Sequence, residues 1–261
     1  TMIFTWSEAG LPQREALAAD PAVGPVVSRV DGVSTVAEIL AGTLLSAFDL
    51  YRVLHDLLQK GLLREVTADE ARTAGLSSAA DGKLDRAIPL LERAVKLAPN
   101  DAVTREALAQ TLAAAGKKTE AAEAWRMAAL RRLASDQNEA AVNGFRQALQ
   151  LAPETPAPRL NLVKTLLRTK QVDEACREAE TFLQSPAAAQ HADLVFALCD
   201  TILESRPGDL RYRLALARAH ARTGNATQAR TEVQTAFQQI TASTPLKAKW
   251  YQEMLEIVPE F

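Results

Sequence analysis

Three stretches decide the reading of this chain: LDRAIPLLERAVKLAPND at residues 84–101, NEAAVNGFRQALQLAPET at 138–155 and ADLVFALCDTILESRPGD at 192–209. Laid over one another, they bring Pro99, Pro153 and Pro207 into register at a step of 54 residues. The same step joins Arg105, Arg159 and Arg213, then Leu108, Leu162 and Leu216, then Ala121, Ala175 and Ala229. Recurrence at this many positions in three copies marks an internal repeat, and a repeat governs how everything else is read.

Within a copy the apolar spacing is helical. Leu84, Ala87, Ile88, Leu91, Ala94 and Val95 fall three and four residues apart, the stripe of an amphipathic helix. Pro99 stops that helix, because the residue before a proline is driven out of the α region. A second helix is expected from about Asp101 to Ala115, closed at Gly116, and a third from near Thr119 to Leu133. Three helices joined by short turns must run antiparallel to their neighbours. Stacked copies then predict an all-α, right-handed solenoid over residues 67–261. Thr244-Pro245 opens a last helix, Leu246–Val258, expected to cap the array, with Trp250, Met254 and Phe261 as candidates for self-association. The oligomeric state itself is left open.

The pattern also resembles the tetratricopeptide repeat. Gly75, Gly82, Ala87, Leu91, Ala94 and Pro99 carry the likeness, as do Leu108, Ala109, Gly116, Ala121, Trp125 and Ala128. Leu216, Ala217, Gly224, Ala229 and Ala236 carry it again. That family's period is ~34 residues, so a step of 54 implies helices shared between overlapping repeats. The resemblance implies an interaction module whose first helices line a groove for a partner segment.

Residues 1–66 break the period. Thr35-x-x-Glu38 and Ser46-x-x-Asp49 are capping signatures, each opening an apolar-periodic helix, and Val23–Val30 reads as a shorter one. Met2–Trp6 and Leu62–Val66 are strand candidates able to pair. Three short helices with a β-wing predict a small winged-helix domain. The stretch with Asp31-Gly32, Val36, Ile39, Phe48, Leu54, Leu57 and Gly61-Leu62 resembles the helical tail that follows PATAN-type domains in bacterial signalling proteins. The start at Thr1, directly in a strand-like run, reads as a piece of a longer protein. This segment carries five basic residues (Arg14, Arg29, Arg52, Lys60, Arg64) against eight acidic ones (Glu8, Glu15, Asp20, Asp31, Glu38, Asp49, Asp56, Glu65). A net-negative face works against phosphate contacts, the main source of non-specific DNA affinity, so the charge favours protein docking over nucleic acid.

Composition narrows the rest. The 261 residues are 48% hydrophobic and 24% charged, with a formal net charge of −2. That balance exerts no general pull on nucleic acid or anionic lipid. No apolar run approaches the ~20 residues of a membrane span. With no basic-then-apolar leader, the expected location is cytoplasmic. Three histidines and two cysteines lack metal-ligand spacing, and no phosphate-loop, dinucleotide, serine-elbow or zinc-protease motif occurs. No cofactor and no enzymatic activity are expected. His220 takes the slot of Leu112 and Leu166 and reads as a packing residue; Cys199, in the slot of Leu91 and Phe145, reads as a small hydrophobe.

The remaining candidate is the groove. Carried over position by position, its lining includes Leu160, Lys164 and Leu167 in the second copy and Arg211, Leu214 and Arg218 in the third. Arg168 and Arg222 extend a basic drift towards the C-terminal end. The functional expectation is a non-enzymatic adaptor or scaffold in bacterial signalling, taking an acidic or amphipathic protein segment along these residues. The alternative is a DNA-binding regulator that reads through the winged helix and uses the array as effector or dimerisation arm.

Overall fold

The computed structural model describes residues 2–240 and 247–259. Helices dominate it, with one two-stranded sheet among the described residues. Contacts divide the chain into two compact units, Thr1–Arg131 and Arg132–Phe261. The anticipated step at residues 66–67 lies inside the first.

The first unit begins with strand β1 (Phe4–Trp6), followed by the short helices α1 (Arg14–Ala18), α2 (Gly24–Val27) and α3 (Val36–Ala41). Helix α4 (Ala47–Gln59) and strand β2 (Leu63–Glu65) complete the segment. Thr35 and Glu38 form a full capping box at the start of α3, and Ser46 accepts from Asp49 N at the start of α4. β1 and β2 pair antiparallel, Phe4 opposite Glu65 and Trp6 opposite Leu63. The ribbon therefore joins the two ends of the segment; it is not a hairpin between neighbouring strands. Phe4, Trp6, Val27, Ile39, Leu50 and Leu54 share the core beneath it, and Trp6 Nε1 donates to Val30 O at 3.1 Å. An indole can be buried at little cost only with its N–H satisfied, and this carbonyl does it.

Helices α5 (Ala68–Ala80), α6 (Leu84–Leu97), α7 (Ala102–Ala114) and α8 (Lys118–Ala134) follow. Gly75 brings α5 close to α6: a Cβ there would lie 2.8 Å from Leu91 Cγ. The second unit contains α9 (Asn138–Leu151), α10 (Pro156–Arg168), α11 (Val172–Leu183), α12 (Ala192–Ser205), α13 (Leu210–Arg222), α14 (Ala226–Gln239) and α15 (Lys247–Ile257). Helices start at 84, 138 and 192, at 102, 156 and 210, and at 118, 172 and 226, a uniform step of 54. The expected small contact positions Ala121, Ala175 and Ala229 are all buried.

The aligned arginines and prolines turn out to be one device. Arg105, Arg159 and Arg213 each donate through Nη2 to the carbonyl of the proline six residues earlier, Pro99, Pro153 and Pro207, at 3.0, 3.3 and 3.1 Å. A guanidinium on the second helix thus satisfies a carbonyl in the turn that enters it, where the helix ladder offers no partner.

A second device repeats at residues 116, 170 and 224, which close the second helix of each copy with φ of +79°, +62° and +80°. The first and third are glycine, but the second is Lys170. A Cβ in this left-handed region costs about 1–2 kcal/mol. Lys170→Gly is therefore expected to stabilise the second unit by about 1 kcal/mol after the glycine's unfolded-state entropy is counted. Urea denaturation would show this as a higher midpoint at unchanged slope.

Candidate partner-binding cleft

Helix α13 is held at its start by Asp209, whose side chain accepts from Arg211 N at 3.2 Å. On the exposed side of α13, Arg211, Ala215, Arg218 and Arg222 succeed one another at three- and four-residue spacing, so all four meet one surface. That surface forms one side of a cleft of about 520 Å³. The 3-10 turn Pro186–Ala189 and the start of α12 supply small apolar residues, including Ala188, Ala192 and Val195; α15 supplies Lys249, Trp250 and Glu253.

The three arginines are not equivalent. Arg211 is bound to Asp209 at 2.7 Å and to Glu180. The hydrogen bonds it donates to the Asp209 carboxylate raise its pKa further, and the charge is fixed. Arg218 is paired with Glu253, which Lys249 also approaches at 3.7 Å. Arg222 is exposed at the cleft and has no ion-pair partner among the described residues. The positive charge offered to a ligand is concentrated there.

The other expected groove residues lie elsewhere. Lys164 is exposed and Leu160 and Leu167 are half-buried on α10, but none of the three lines the cleft. Arg168 is engaged by Asn138 Oδ1. Leu214 corrects the expected register: it is completely buried with Leu210, Ala217, Val233 and Met254. Helix α15 lies against α13 there and covers the face that the matching Leu160 leaves half-open. Met254 is buried in the same cluster, so it is not the exposed self-association residue expected from the sequence, and Phe261 lies outside the described residues. The period missed Lys249 and Trp250 because nothing in the earlier copies stands for them.

A second surface lies on the first unit. Phe48 and Tyr51 on α4 are 73% and 52% exposed, and Met2 is also exposed beside them. With Phe4, Arg52 and His55 they border a mainly apolar hollow of about 490 Å³. Exposed aromatics grouped in this way are uncommon on surfaces without a partner.

No group of three or more metal-ligating side chains occurs among the described residues. Cys176 and Cys199 are buried, and burial pushes the Cys199 thiol up to about 12. His220 stacks on Phe196 with centroids 4.5 Å apart, filling its leucine slot as a packing residue. No helix among the described residues is long and apolar enough to cross a membrane.

The tetratricopeptide-repeat family model matches residues 72–129. No curated protein matches the chain significantly. Among solved structures, the chain is similar to the MamA protein at 18% identity, covering 66% of this chain and 92% of that one, with a TM-score of 0.24. It is similar to YrrB, described as a tetratricopeptide protein with an unusual peptide-binding site, at 14% identity, 71% and 90% coverage and a TM-score of 0.24. The third is PilF of Pseudomonas aeruginosa, at 20% identity, 72% and 98% coverage and a TM-score of 0.27. Likeness at this level assigns no role to any residue.

Proposed function

We propose that the chain is a non-enzymatic adaptor of the tetratricopeptide kind, which takes an acidic, partly apolar protein segment into the α13 cleft and docks a second protein through its N-terminal segment. The carrying observation is the cleft itself. Arg222 stands exposed beside small apolar side chains and the half-buried Trp250, a combination that suits alternating carboxylate and apolar groups. Arginine matches carboxylates because its planar fork donates two parallel hydrogen bonds.

We read residues 1–66 as a winged-helix-like module in a bacterial signalling protein, as its resemblance to the PATAN-associated tail implies. Its use as a DNA reader is the weaker alternative. The exposed face of α4 presents Phe48 and Tyr51, with Asp56 exposed on the same helix and Arg52 tied to Asp49 at 3.2 Å. Such a face suits an apolar protein surface better than a phosphate backbone.

The test is selection from a random peptide display library on the immobilised protein, followed by calorimetry with a synthesised winner. The expected winners interleave Asp or Glu with Leu or Phe. Arg222→Glu is expected to weaken binding several-fold at low salt and less at high salt, since rim charges act mainly on association rate. Winners without acidic residues, or affinity unchanged by the substitution, would return Arg222 to ordinary solvated surface.

A further inference from the structure

The aligned arginines are balanced in two copies of the repeat and unbalanced in the first. Nη1 of Arg213 pairs with Glu232 at 2.9 Å, and Nη1 of Arg159 lies 3.7 Å from a carboxylate oxygen of Glu178. These two glutamates stand one period apart, and one period before Glu178 the chain has Ala124. Arg105 still donates through Nη2 to Pro99 O, but Ala124 offers its Nη1 no carboxylate. Glu123, the neighbour of Ala124, accepts instead from Nε and Nη2 of Arg126 at 2.7 and 2.5 Å.

A second arginine deepens the deficit. Arg131 on α8 stands two periods before Gln239, whose Nε2 donates to the Pro207 carbonyl at 3.1 Å. In the first copy that slot brings a guanidinium to the side of Arg105. Burial, and after it the charge of Arg131, lower the pKa of Arg105. Both arginines are half-buried, and the Nε–H of each is enclosed and unbonded. Neither is ion-paired among the described residues. Like charges partly withdrawn from water repel one another unless an anion lies beside them. The whole cluster belongs to the first unit.

The later copies identify the anion. The Glu178 and Glu232 side chains are 27% and 18% exposed, so their slot opens to the surface. Ala124 is half-buried and ends at its methyl, which leaves the place of the carboxylate within reach from outside. Guanidinium nitrogens suit such a group, because their hydrogen bonds to carboxylates are charge-assisted and directional.

We infer that Arg105 and Arg131 form a carboxylate-binding site, which takes an acidic side chain of a partner protein in place of the glutamate carried by the later copies. The site uses no residue of the α13 cleft and is independent of what that cleft binds.

The test follows the arginine Nε–H resonances of the full chain by nitrogen–proton correlation NMR. The probe is N-acetylglutamate α-amide, whose one charge is the side-chain carboxylate, added to about 100 mM at constant ionic strength to cover millimolar Kd values. The resonances of Arg105 and Arg131 are expected to move together and to saturate. The uncharged glutamine analogue should leave them in place. Ala124→Glu supplies the carboxylate from within: it is expected to raise the melting temperature, shift both resonances without ligand and weaken probe binding about tenfold or more. Ala124→Gln fills the same space without charge and should not raise the melting temperature. Arg131→Gln, which restores the residue of the third copy, is expected to leave the circular dichroism spectrum unchanged and to weaken binding about tenfold. Resonances that stay fixed, or that follow the glutamine analogue equally, would overturn the inference. So would probe affinity unchanged by Ala124→Glu, or inorganic phosphate bound more tightly than the carboxylate.

Discussion

Tyr212→Ala is expected to destabilise the second unit by about 3–5 kcal/mol, the usual cost of removing a fully buried aromatic. Tyr212 is among the largest completely buried side chains in the chain. Its hydroxyl donates to Cys176 O at 2.9 Å, which ties α13 to α11. Burial raises the phenol's pKa, so the hydroxyl remains a donor across the ordinary pH range. Two variants separate the contributions. Tyr212→Phe keeps the ring and gives up the hydrogen bond, for about 1 kcal/mol. Tyr212→Ala removes both and opens a cavity that the surrounding helices cannot fill without shifting. Urea unfolding followed by hydrogen exchange should show α11 and α13 losing protection together in the alanine variant. Protection in α5 and α6, within the other unit, should be unchanged. Equal small losses for the two variants would mean that the ring contributes little packing.

That residue marks where the sequence stops being informative. Its slot in the earlier copies holds Thr104 and Pro158, which share burial with Tyr212 but no chemistry. A period reveals positions that every copy needs. Prolines that end the first helix, alanines where helices touch and the arginines that satisfy the proline carbonyl all recur, because each copy faces the same local problem. The arginines were legible as markers, but their role emerges only with the turn folded. Features made once are not legible in this way. The cleft is built from a 3-10 turn and a terminal helix, neither with a counterpart in the first copy. Lys164 and Arg168, one period before Arg218 and Arg222, are not among the residues that line that cleft. Leu214 was misjudged for the same reason: its period mate Leu160 is half-open, and only the arrival of α15 buries it. Within α4 the apolar pattern identified the helix correctly, yet Phe48 and Tyr51 could be assigned to surface only once Leu50, Val53, Leu54 and Leu57 had taken the core face.

The period starts only after residue 66, but where repetition begins says nothing about where packing ends. Ile3 decides this. It is completely buried and belongs to one cluster with Val66 and with Ala71, Leu90 and Ala94 of α5 and α6. Its carbonyl accepts from Val66 N at 3.2 Å, so the ribbon delivers it to this seam. Asp31 and Arg86 bridge the same seam at 2.9 Å, and Glu65 pairs with Arg93. Ile3→Ala is expected to cost about 2–5 kcal/mol, because α5 and α6 cannot follow a shortened side chain without leaving their own partners. Arg86→Ala, at a pair more than one-third exposed on both sides, should cost no more than ~1 kcal/mol. If the seam joins the N-terminal segment and the first repeat into one cooperative body, Ile3→Ala will reduce hydrogen-exchange protection in α4, α5 and α6 by similar free energies. Loss confined to residues 1–66, with α5 and α6 as protected as before, would show instead that the repeat stands without the segment packed against it.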